Sequence, residues 1–262
     1  MRILALNDAE SSENKIHSND VAAKYGFAGA LVSGANVFGY LTQPLTQACG
    51  TGCLEGAEYC VNFRKPAYHN EMLTIKTRTL ESESKSSRFF SSAYNPAGDL
   101  LAELETRLLQ HRPVENQQYC PSDESKTLQR SEIHWDRIQL FEAAPDFHWA
   151  PSEESNRQRI EAQRDHNLIY RGPNGLIHPY YLLGACNEAL KRMFILPAWI
   201  HVGSRLKIRK AIRVGQNIVV QSKATEKWEH KGHQFIRLGI AMFTEEELAL
   251  EAEHTAIFRI AQ

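Results

Sequence analysis

ENKIHSNDVAAKYGFAGALVSGANVFGYLTQPLTQAC, residues 13–49, contains the segment from which a central helix is predicted. No charged residue occurs from Tyr25 to Leu54, yet glycine, proline and amide residues interrupt the apolar run, so it lacks the unbroken span that a bilayer requires. Beyond Gly34, apolar side chains recur at helical spacing and face nearly every direction, which is typical of a helix enclosed by other structure. The sequence therefore predicts a buried helix from Gly34 to about Ala48.

The start of this helix is a candidate binding site. Ser33 and Gly34 open it, and the first N–H groups of a helix have no intrahelical acceptor and lie at the positive end of its dipole. This geometry suits a carbonyl oxygen or an oxyanion. Gly34 lets a ligand approach the backbone closely because it has no side chain, although close packing of the helix is the alternative explanation. We expect Ser33 and Gly34 to contact the substrate.

Three short motifs before and at this helix carry a family resemblance. They are Asn14-Lys15-Ile16-His17, then Ala22-Ala23 with Tyr25-Gly26-Phe27, then Leu31-Val32-Ser33-Gly34. In this order they resemble the N-x-x-H, A, G-F and H/P-G signature of the MaoC-like (R)-specific enoyl-CoA hydratases and acyl dehydratases of the hotdog superfamily. The resemblance implies a central helix wrapped by an antiparallel sheet, with acyl thioesters of CoA or of acyl carrier protein bound where the helix begins, and no cofactor.

One position departs from this family. An aspartate five residues before the histidine shares the catalysis there, whereas Ser12 holds that place here and Glu13 is the nearest carboxylate. Hydration of a C=C bond needs a base for the water and an acid for the α-carbon. We therefore consider Glu13 as a catalytic partner of the histidine, or alternatively as a solvated charge, with Asp20 as the other nearby carboxylate.

His17 and Asn14 are the remaining site candidates. His17 is a candidate general base because its ordinary pKa lies close to neutral pH; a polar surface histidine is the alternative. Asn14 would orient a water or His17, or would cap the helix near Asp20. Aligning Asn14–Asp20 with Gln158–Arg164 places Glu161 opposite His17, which predicts one site per chain.

The chain looks duplicated. Tyr25–Ser33, YGFAGALVS, aligns with Tyr170–His178, YRGPNGLIH, at an offset of 145 residues (170 minus 25). The same offset pairs Arg64-Lys65 with Arg209-Lys210. A repeat of this length is a domain duplication. Together with the resemblance, it predicts an α+β fold of two tandem hotdog domains, fused as a pseudo-dimer and abutting edge to edge.

Each copy has the same predicted order of an entry segment, a helix and four strands. The second helix is expected at about 179–194, and hairpin loops are expected at Asn95–Asp99 and Lys231-Gly232. The predicted strands are Glu58–Phe63, Met72–Leu80, Arg88–Tyr94, Leu101–Gln110, Trp199–Ile208, Asn217–Trp228, His233–Phe243 and Leu248–Ile260.

The predicted domains are an N-terminal hotdog at 1–118 with the candidate site, a linker and entry segment at 119–165, and a C-terminal hotdog at 166–262 with a degenerate site. Within the linker, apolar residues at 133–141 suggest a strand and Arg157–Asp165 a short charged helix.

Composition excludes several classes of protein. The 262 residues are 42% hydrophobic and 23% charged, and 30 Lys plus Arg balance 31 Asp plus Glu, so no general attraction to nucleic acid or anionic lipid is expected. The apolar run Ile3–Leu6 is too short for a signal peptide, so we expect a cytoplasmic protein without membrane insertion, and a homodimer is possible. No Gly-rich phosphate loop, nucleophile elbow or HExxH motif occurs.

Five cysteines, an odd number, argue against a disulfide framework. Cys49, Cys53 and Cys60 lack the spacing of a zinc knuckle, so buried small hydrophobes are favoured over metal ligands and no metal is expected. The pairs Arg64-Lys65 and Arg209-Lys210 are either contacts for a CoA phosphate or ordinary surface residues. His178-Pro179 is expected to be structural or to line the entrance and not to be catalytic, because proline offers no N–H to an oxyanion.

Two functional classes remain. The first is an enzyme on acyl thioesters, a hydratase or dehydratase of enoyl-CoA or 3-hydroxyacyl-CoA by resemblance, with a thioesterase as a variant. The second is a non-catalytic hotdog module that binds an acyl group or a partner protein.

Overall fold

One antiparallel sheet of ten strands carries the fold in the computed structural model, which describes residues 1–83, 86–109, 119–121 and 130–261. The spatial order of its strands is β1-β3-β4-β5-β2-β9-β12-β11-β10-β7, and β6 and β8 form a separate parallel pair. The strands are β1 Arg2–Leu4, β2 Ala57–Phe63, β3 Met72–Glu83, β4 Ser86–Tyr94, β5 Leu100–Leu109, β6 Ser131–Glu132, β7 Phe147–Trp149, β8 Phe194–Ile195, β9 Ile200–Ile208, β10 Ile218–His230, β11 His233–Thr244 and β12 Glu247–Arg259.

Two long helices pack against each other and against this sheet. The helices are α1 Asn19–Lys24, α2 Gly34–Cys49, α3 Glu153–Gln163 and α4 Tyr180–Met193, with short 3₁₀ turns at Lys15–His17, Gly50–Leu54, Trp135–Arg137 and Leu168–Tyr170. Helix α2 contacts β3, β4 and β5, whereas α4 contacts β10 and β11. Each helix thus covers its own half of the sheet, and the α+β double hotdog predicted from the sequence is confirmed.

The predicted helices and strands of both copies match the observed ones within about three residues. Gln110, the predicted end of one strand, lies outside the described residues. The match is good because these elements have a clear apolar period. Apolar residues recur with a period of 3.6 in the helices and of two in the strands, since alternate side chains of a strand face the buried side of the sheet. Described residues contain no helix long and apolar enough to span a bilayer.

Between the copies, the sequence-based prediction was less accurate. The strand expected at 133–141 is wrong: a 3₁₀ turn lies there, and Phe141 has a φ of 66°. Helix α3 begins four residues before the predicted Arg157, because Ser152 caps it by accepting a hydrogen bond from the Ser155 N–H at 3.1 Å.

The domain bounds remain a prediction, since the proposed boundary at Gln118 lies outside the described residues. Strand β7 pairs with β10 at one edge of the sheet, as β1 pairs with β3 at the other. The segment expected to link the two domains therefore supplies an edge strand to the second half.

The two halves are joined by β2 and β9, whose antiparallel register runs from Ala57 opposite Ile208 to Asn62 opposite Gly203. This pairing covers one strand edge of each half, which would otherwise present unpaired backbone groups. Gly203 is required at the joint, since a Cβ there would lie 2.9 Å from the Val61 carbonyl oxygen.

We expect Gly203→Ala to lower the free energy of unfolding by about 1–3 kcal/mol, because the new methyl group forces the two backbones apart. Urea unfolding of the whole chain measures it. Gly52→Ala is the matched control, since nothing lies within 4 Å of a Cβ at Gly52. Equal stability of both variants would show that the β2–β9 joint tolerates displacement.

Candidate active site

The N-terminus of α2 opens into a cavity of about 340 Å³ that both halves of the chain line. An adjoining cavity of about 400 Å³ lies on the other side of a shared wall. The residues that line both cavities are Asn14, His17, Ser33, Asn187 and Trp199. Much of the smaller cavity is apolar, with residues such as Leu31, Val37, Phe63, Ile200 and Ile257. Three of the five predicted site residues, His17, Asn14 and Ser33, therefore lie at the wall that the two cavities share, and Gly34 lines the smaller one.

His17 ends the 3₁₀ turn that precedes α1, and its ring is held in one orientation. Its Nδ1 lies 2.7 Å from the Leu31 carbonyl oxygen, which can only accept, so Nδ1 carries the proton and Nε2 is left with a lone pair. Burial lowers the pKa of His17, opposed by the hydrogen bond to Leu31 and by the charge of Asp8. A neutral imidazole with a lone pair on Nε2 is the form that can accept a proton.

Asn14 caps the 3₁₀ turn that carries His17, and not the helix that contains Asp20, whose N-cap is Ser18. Its side-chain oxygen caps the 3₁₀ turn by accepting the Ile16 N–H at 3.3 Å, and its amide nitrogen lies 3.4 Å from His17 Nε2. It also bonds the backbone of the second half, accepting the Trp199 N–H at 3.1 Å and donating to the Trp199 carbonyl at 3.0 Å. The turn that carries His17 is thereby fixed to the opposite copy.

Ser33 and Gly34 form the helix start as predicted. The Ser33 hydroxyl accepts the Asn36 N–H at 3.2 Å and so caps α2. A Cβ at Gly34 would lie 2.9 Å from His201 Nδ1 and 3.1 Å from Phe63 Cζ. Close packing thus explains the glycine, and the same packing places an imidazole from the second half over the helix start.

The structure does not bring Glu13 to His17. Glu13 forms an ion pair with Arg130 and lines neither cavity. Asp20 lies in the first turn of α1 and is exposed. Asp8 is the carboxylate whose charge acts on His17, and its oxygens bind Asn36 Nδ2 at 2.8 Å and the guanidinium of Arg159.

Ser12, at the family's aspartate position, lines the larger cavity beside His17 and donates to the Asn14 carbonyl at 3.2 Å. Among the described residues, those that line the smaller cavity include no Asp or Glu. His17 therefore has no carboxylate partner inside that cavity.

The predicted alignment of Glu161 with His17 is wrong. Asn167 caps the turn Leu168–Tyr170 through the Ile169 N–H at 3.2 Å, just as Asn14 caps the turn before His17. Tyr170 is therefore the counterpart of His17, whereas Glu161 lies on α3 in an ion pair with Arg157. The error arose because α1 occurs only in the first copy, which changes the offset between the copies. The second copy nevertheless lacks the histidine, as expected.

His178 is structural, in agreement with the sequence-based expectation. Its Nδ1 accepts the Tyr180 N–H at 3.2 Å at the start of α4, and its Nε2 lies 3.4 Å from an oxygen of Asp165. Asp165 precedes Tyr170 by five residues, just as Ser12 precedes His17. The first copy therefore has the histidine of this pair of positions but not the acid, whereas the second copy has the acid but not the histidine. Both His178 and Asp165 are fully buried.

Three residues that sequence reasoning missed face the same cavity from the second half: Asn187, Trp199 and His201. Each has a buried polar atom without a partner among the described residues, namely Asn187 Oδ1, Trp199 Nε1 and His201 Nδ1. No local motif marks them, because they meet His17 only through the pairing of the two halves. Such atoms carry a free-energy penalty unless a ligand or water binds them.

The two basic pairs differ in position. Arg64 and Lys65 line the smaller cavity, and they form ion pairs with Glu103 and Asp99 at 2.9 and 2.5 Å. Their counterparts Arg209 and Lys210 line neither cavity and are paired with acidic residues of the second half.

All five cysteines are free thiols, and the buried Cys53 donates to the Leu45 carbonyl at 3.2 Å. No cluster of three or more His, Cys, Asp and Glu residues that could hold a metal ion occurs in the described part of the chain.

Three buried histidines and the half-buried His17 should make stability depend on pH. Burial lowers the pKa values of His17, His178, His201 and His254, that of His201 to about 3. Below about pH 6.5 the unfolded chain binds more protons than the folded one, so the free energy of unfolding should fall on acidification, by up to about 1.4 kcal/mol per pH unit for each histidine.

Urea unfolding between about pH 7 and pH 5 tests this expectation. His201→Asn should reduce the slope, whereas replacement of the exposed His134 by Gln should leave it unchanged. A flat profile in the unmodified protein would mean that these imidazoles titrate normally in the folded state.

Comparison with known proteins supports the fold assignment. No protein-family model matches the sequence, and no curated protein matches it. Among solved structures, one named as a MaoC-domain dehydratase from Chloroflexus aurantiacus J-10-fl has a TM-score of 0.72 at 10% identity, covering 99% of this chain and 93% of that one.

Two further solved structures share the fold over nearly the whole chain. Rv0216 of Mycobacterium tuberculosis, described as having a double hotdog fold, has a TM-score of 0.63 at 10% identity over 98% of this chain and 93% of that one. A protein named as an oleoyl thioesterase from Lactobacillus plantarum has a TM-score of 0.57 at 8% identity over 100% and 96%. The fold of this chain is therefore that of the double-hotdog proteins.

Proposed function

We propose that the protein hydrates enoyl thioesters, or dehydrates 3-hydroxyacyl thioesters, carried by CoA or acyl carrier protein, with His17 as the general base. The observation that carries this proposal is the tautomer of His17. Its Nδ1–H is bound by the Leu31 carbonyl at 2.7 Å, so its Nε2 has a lone pair at the wall of a cavity that begins at the α2 N-terminus. A base and a carbonyl-binding helix start thus adjoin the same space.

In this proposal the thioester carbonyl oxygen accepts hydrogen bonds from the first N–H groups of α2, at Gly34 and Ala35. These donors stabilise the enolate that forms when water adds to the β-carbon. His17 Nε2 takes the proton from that water and then, as the imidazolium, gives it to the α-carbon of the enolate, so that H and OH add across the double bond. Asn14 Nδ2, 3.4 Å from His17 Nε2, directs the imidazole. The apolar lining of the smaller cavity accommodates the acyl chain.

Thioester hydrolysis is the second candidate, and the site composition favours it specifically. Without a carboxylate among the described lining residues of the smaller cavity, His17 has no partner there to protonate an α-carbon. A water activated by His17 and directed at the thioester carbonyl needs no such acid. The fold also resembles proteins named as thioesterases. A non-catalytic acyl-binding module is the remaining alternative.

Replacing the base tests the proposal. His17→Ala should lower turnover on the order of 10²–10⁴-fold, because a positioned proton-transfer group contributes that much. Loss of enoyl absorbance from crotonyl-CoA measures hydration, and release of free thiol from acyl-CoAs of several chain lengths measures hydrolysis. The exposed His134→Ala is the matched control. Full activity of pure His17→Ala protein would exclude this site, and absence of both reactions in the unmodified protein would favour the binding module.

Ser12→Asp separates hydration from hydrolysis. Ser12 lines the larger cavity next to His17, so an aspartate there restores a carboxylate at the position that the MaoC-like resemblance assigns to the acid. If the native reaction is hydration limited by the missing acid, crotonyl-CoA hydration should rise at least tenfold. If hydrolysis is native, thiol release should stay the same or fall. A fall of hydration in this variant would show that another group already supplies the proton.

A further inference from the structure

A chain of three buried polar side chains leads from the core of the second half to the start of α2. His201 Nε2 lies 2.8 Å from Ser204 Oγ, and Ser204 Oγ lies 2.9 Å from His254 Nδ1. His201 is 8% exposed and lines the smaller cavity, and its Nδ1 has no partner among the described residues. This free nitrogen faces Gly34, since a Cβ there would lie 2.9 Å from it.

A β-bulge makes this arrangement possible. On β12 the consecutive residues Thr255 and Ala256 pair with Gly203 and His201, so Val202 is an extra residue on β9. Residues three apart normally face opposite sides of a sheet, but the bulge turns His201 and Ser204 to the same buried side. Bulges often re-aim side chains next to active sites.

The position of the His201 ring is closely defined. The ring packs against Phe63 at a centroid distance of 4.8 Å and against His254 at 4.1 Å. Burial lowers the pKa of His201 to about 3, although a backbone hydrogen bond with Gly203 opposes this shift, so the imidazole is neutral at physiological pH. A neutral imidazole can still donate one hydrogen bond, and it can do so without the cost of burying a charge.

The Ser204 hydroxyl links the tautomers of the two histidines. It has one hydrogen, so it donates to one imidazole and accepts an N–H from the other. When His254 Nδ1–H donates to Ser204 and Ser204 donates to His201 Nε2, the proton of His201 is on Nδ1. A carbonyl oxygen at the α2 N-terminus, which can only accept, selects this arrangement.

We propose that His201 is a catalytic residue whose Nδ1–H donates to the thioester carbonyl oxygen together with the N–H groups of α2. Ser204 and His254 are positioning residues that keep His201 in the Nδ1–H tautomer. No proton is transferred by His201: its donor stabilises the negative charge that develops on the carbonyl oxygen, in hydration and in hydrolysis alike. This assignment rests on the proposed thioester site, and it completes that site with a residue from the second copy.

Two replacements of His201 separate its donor from its bulk. His201→Phe keeps an aromatic ring but removes the N–H, and kcat should fall on the order of 10²–10³-fold with a smaller change in KM. His201→Asn places an amide donor near the position of Nδ1 and should recover at least tenfold of that loss. Circular dichroism verifies that both variants fold. Equal kcat values for the unmodified protein and His201→Phe, or for the Phe and Asn variants, would overturn the proposal.

A spectroscopic measurement tests the hydrogen bond apart from turnover. The infrared carbonyl stretch of [1-¹³C]butyryl-CoA bound to the His17→Ala protein should lie below its frequency in water, and the additional His201→Phe change should reverse most of this shift. A shift that depends on His201 in a protein without hydratase or thioesterase activity would contradict the proposed function but support the role of His201. Absence of butyryl-CoA binding, or a shift independent of His201, would overturn the inference.

The ¹⁵N chemical shifts of the His201 ring test the role of Ser204. In the butyryl-CoA complex of the His17→Ala protein, ¹⁵N spectra should show His201 Nδ1 protonated and Nε2 unprotonated. Adding Ser204→Ala to that protein should produce a mixture of His201 tautomers. In the otherwise unmodified protein, Ser204→Ala alone should cause an intermediate loss of kcat. A merely structural serine would leave the tautomer unchanged, and that result would exclude Ser204 and His254 as positioning residues.

Discussion

The pairing of β2 with β9 is the interaction on which the rest of the structure depends. It runs from Ala57 opposite Ile208 to Asn62 opposite Gly203 and joins two half-sheets into one. Each half alone would leave this strand edge open, with backbone groups that must find partners. The register of this pairing fixes the position of β9. The bulge at Val202 on β9 then places His201 at the start of α2 in the other half. The joint therefore both protects the edges and assembles the cavity.

The two copies contribute different parts of the site. The first supplies His17 on a short turn and the N-terminus of α2, whereas the second supplies Asn187, Trp199 and His201. Asn14 links the two copies at this site. Its side-chain amide accepts the Trp199 N–H and donates to the Trp199 carbonyl, and its nitrogen also lies beside His17 Nε2. The candidate site thus uses the second copy as part of its wall.

The electrostatics of the site follow from burial. The described lining of the smaller cavity contains no acid, and burial lowers the pKa values of His17 and His201 there because a charged imidazole would lose its hydration. Asp8 acts on His17 only from a network with Asn36 and Arg159. Neutral donors and acceptors on fixed elements are suited to a substrate whose charge develops during the reaction and not before it.

The sequence by itself determined the buried helix at Gly34, the strands of both copies and the duplication. Apolar period and turn residues are local properties, so they can be recognised without knowing how the elements pack. It also indicated His17, Asn14 and Ser33 as candidate site residues, since they belong to short motifs that follow one another in a single segment of the chain. The tertiary structure alone decided that Glu13 pairs with Arg130 and lies away from the cavity, that Tyr170 and not Glu161 corresponds to His17, and that His201 covers Gly34. These facts depend on contacts between residues far apart in the chain, set by strand register and by the packing of one half on the other, which no local pattern encodes.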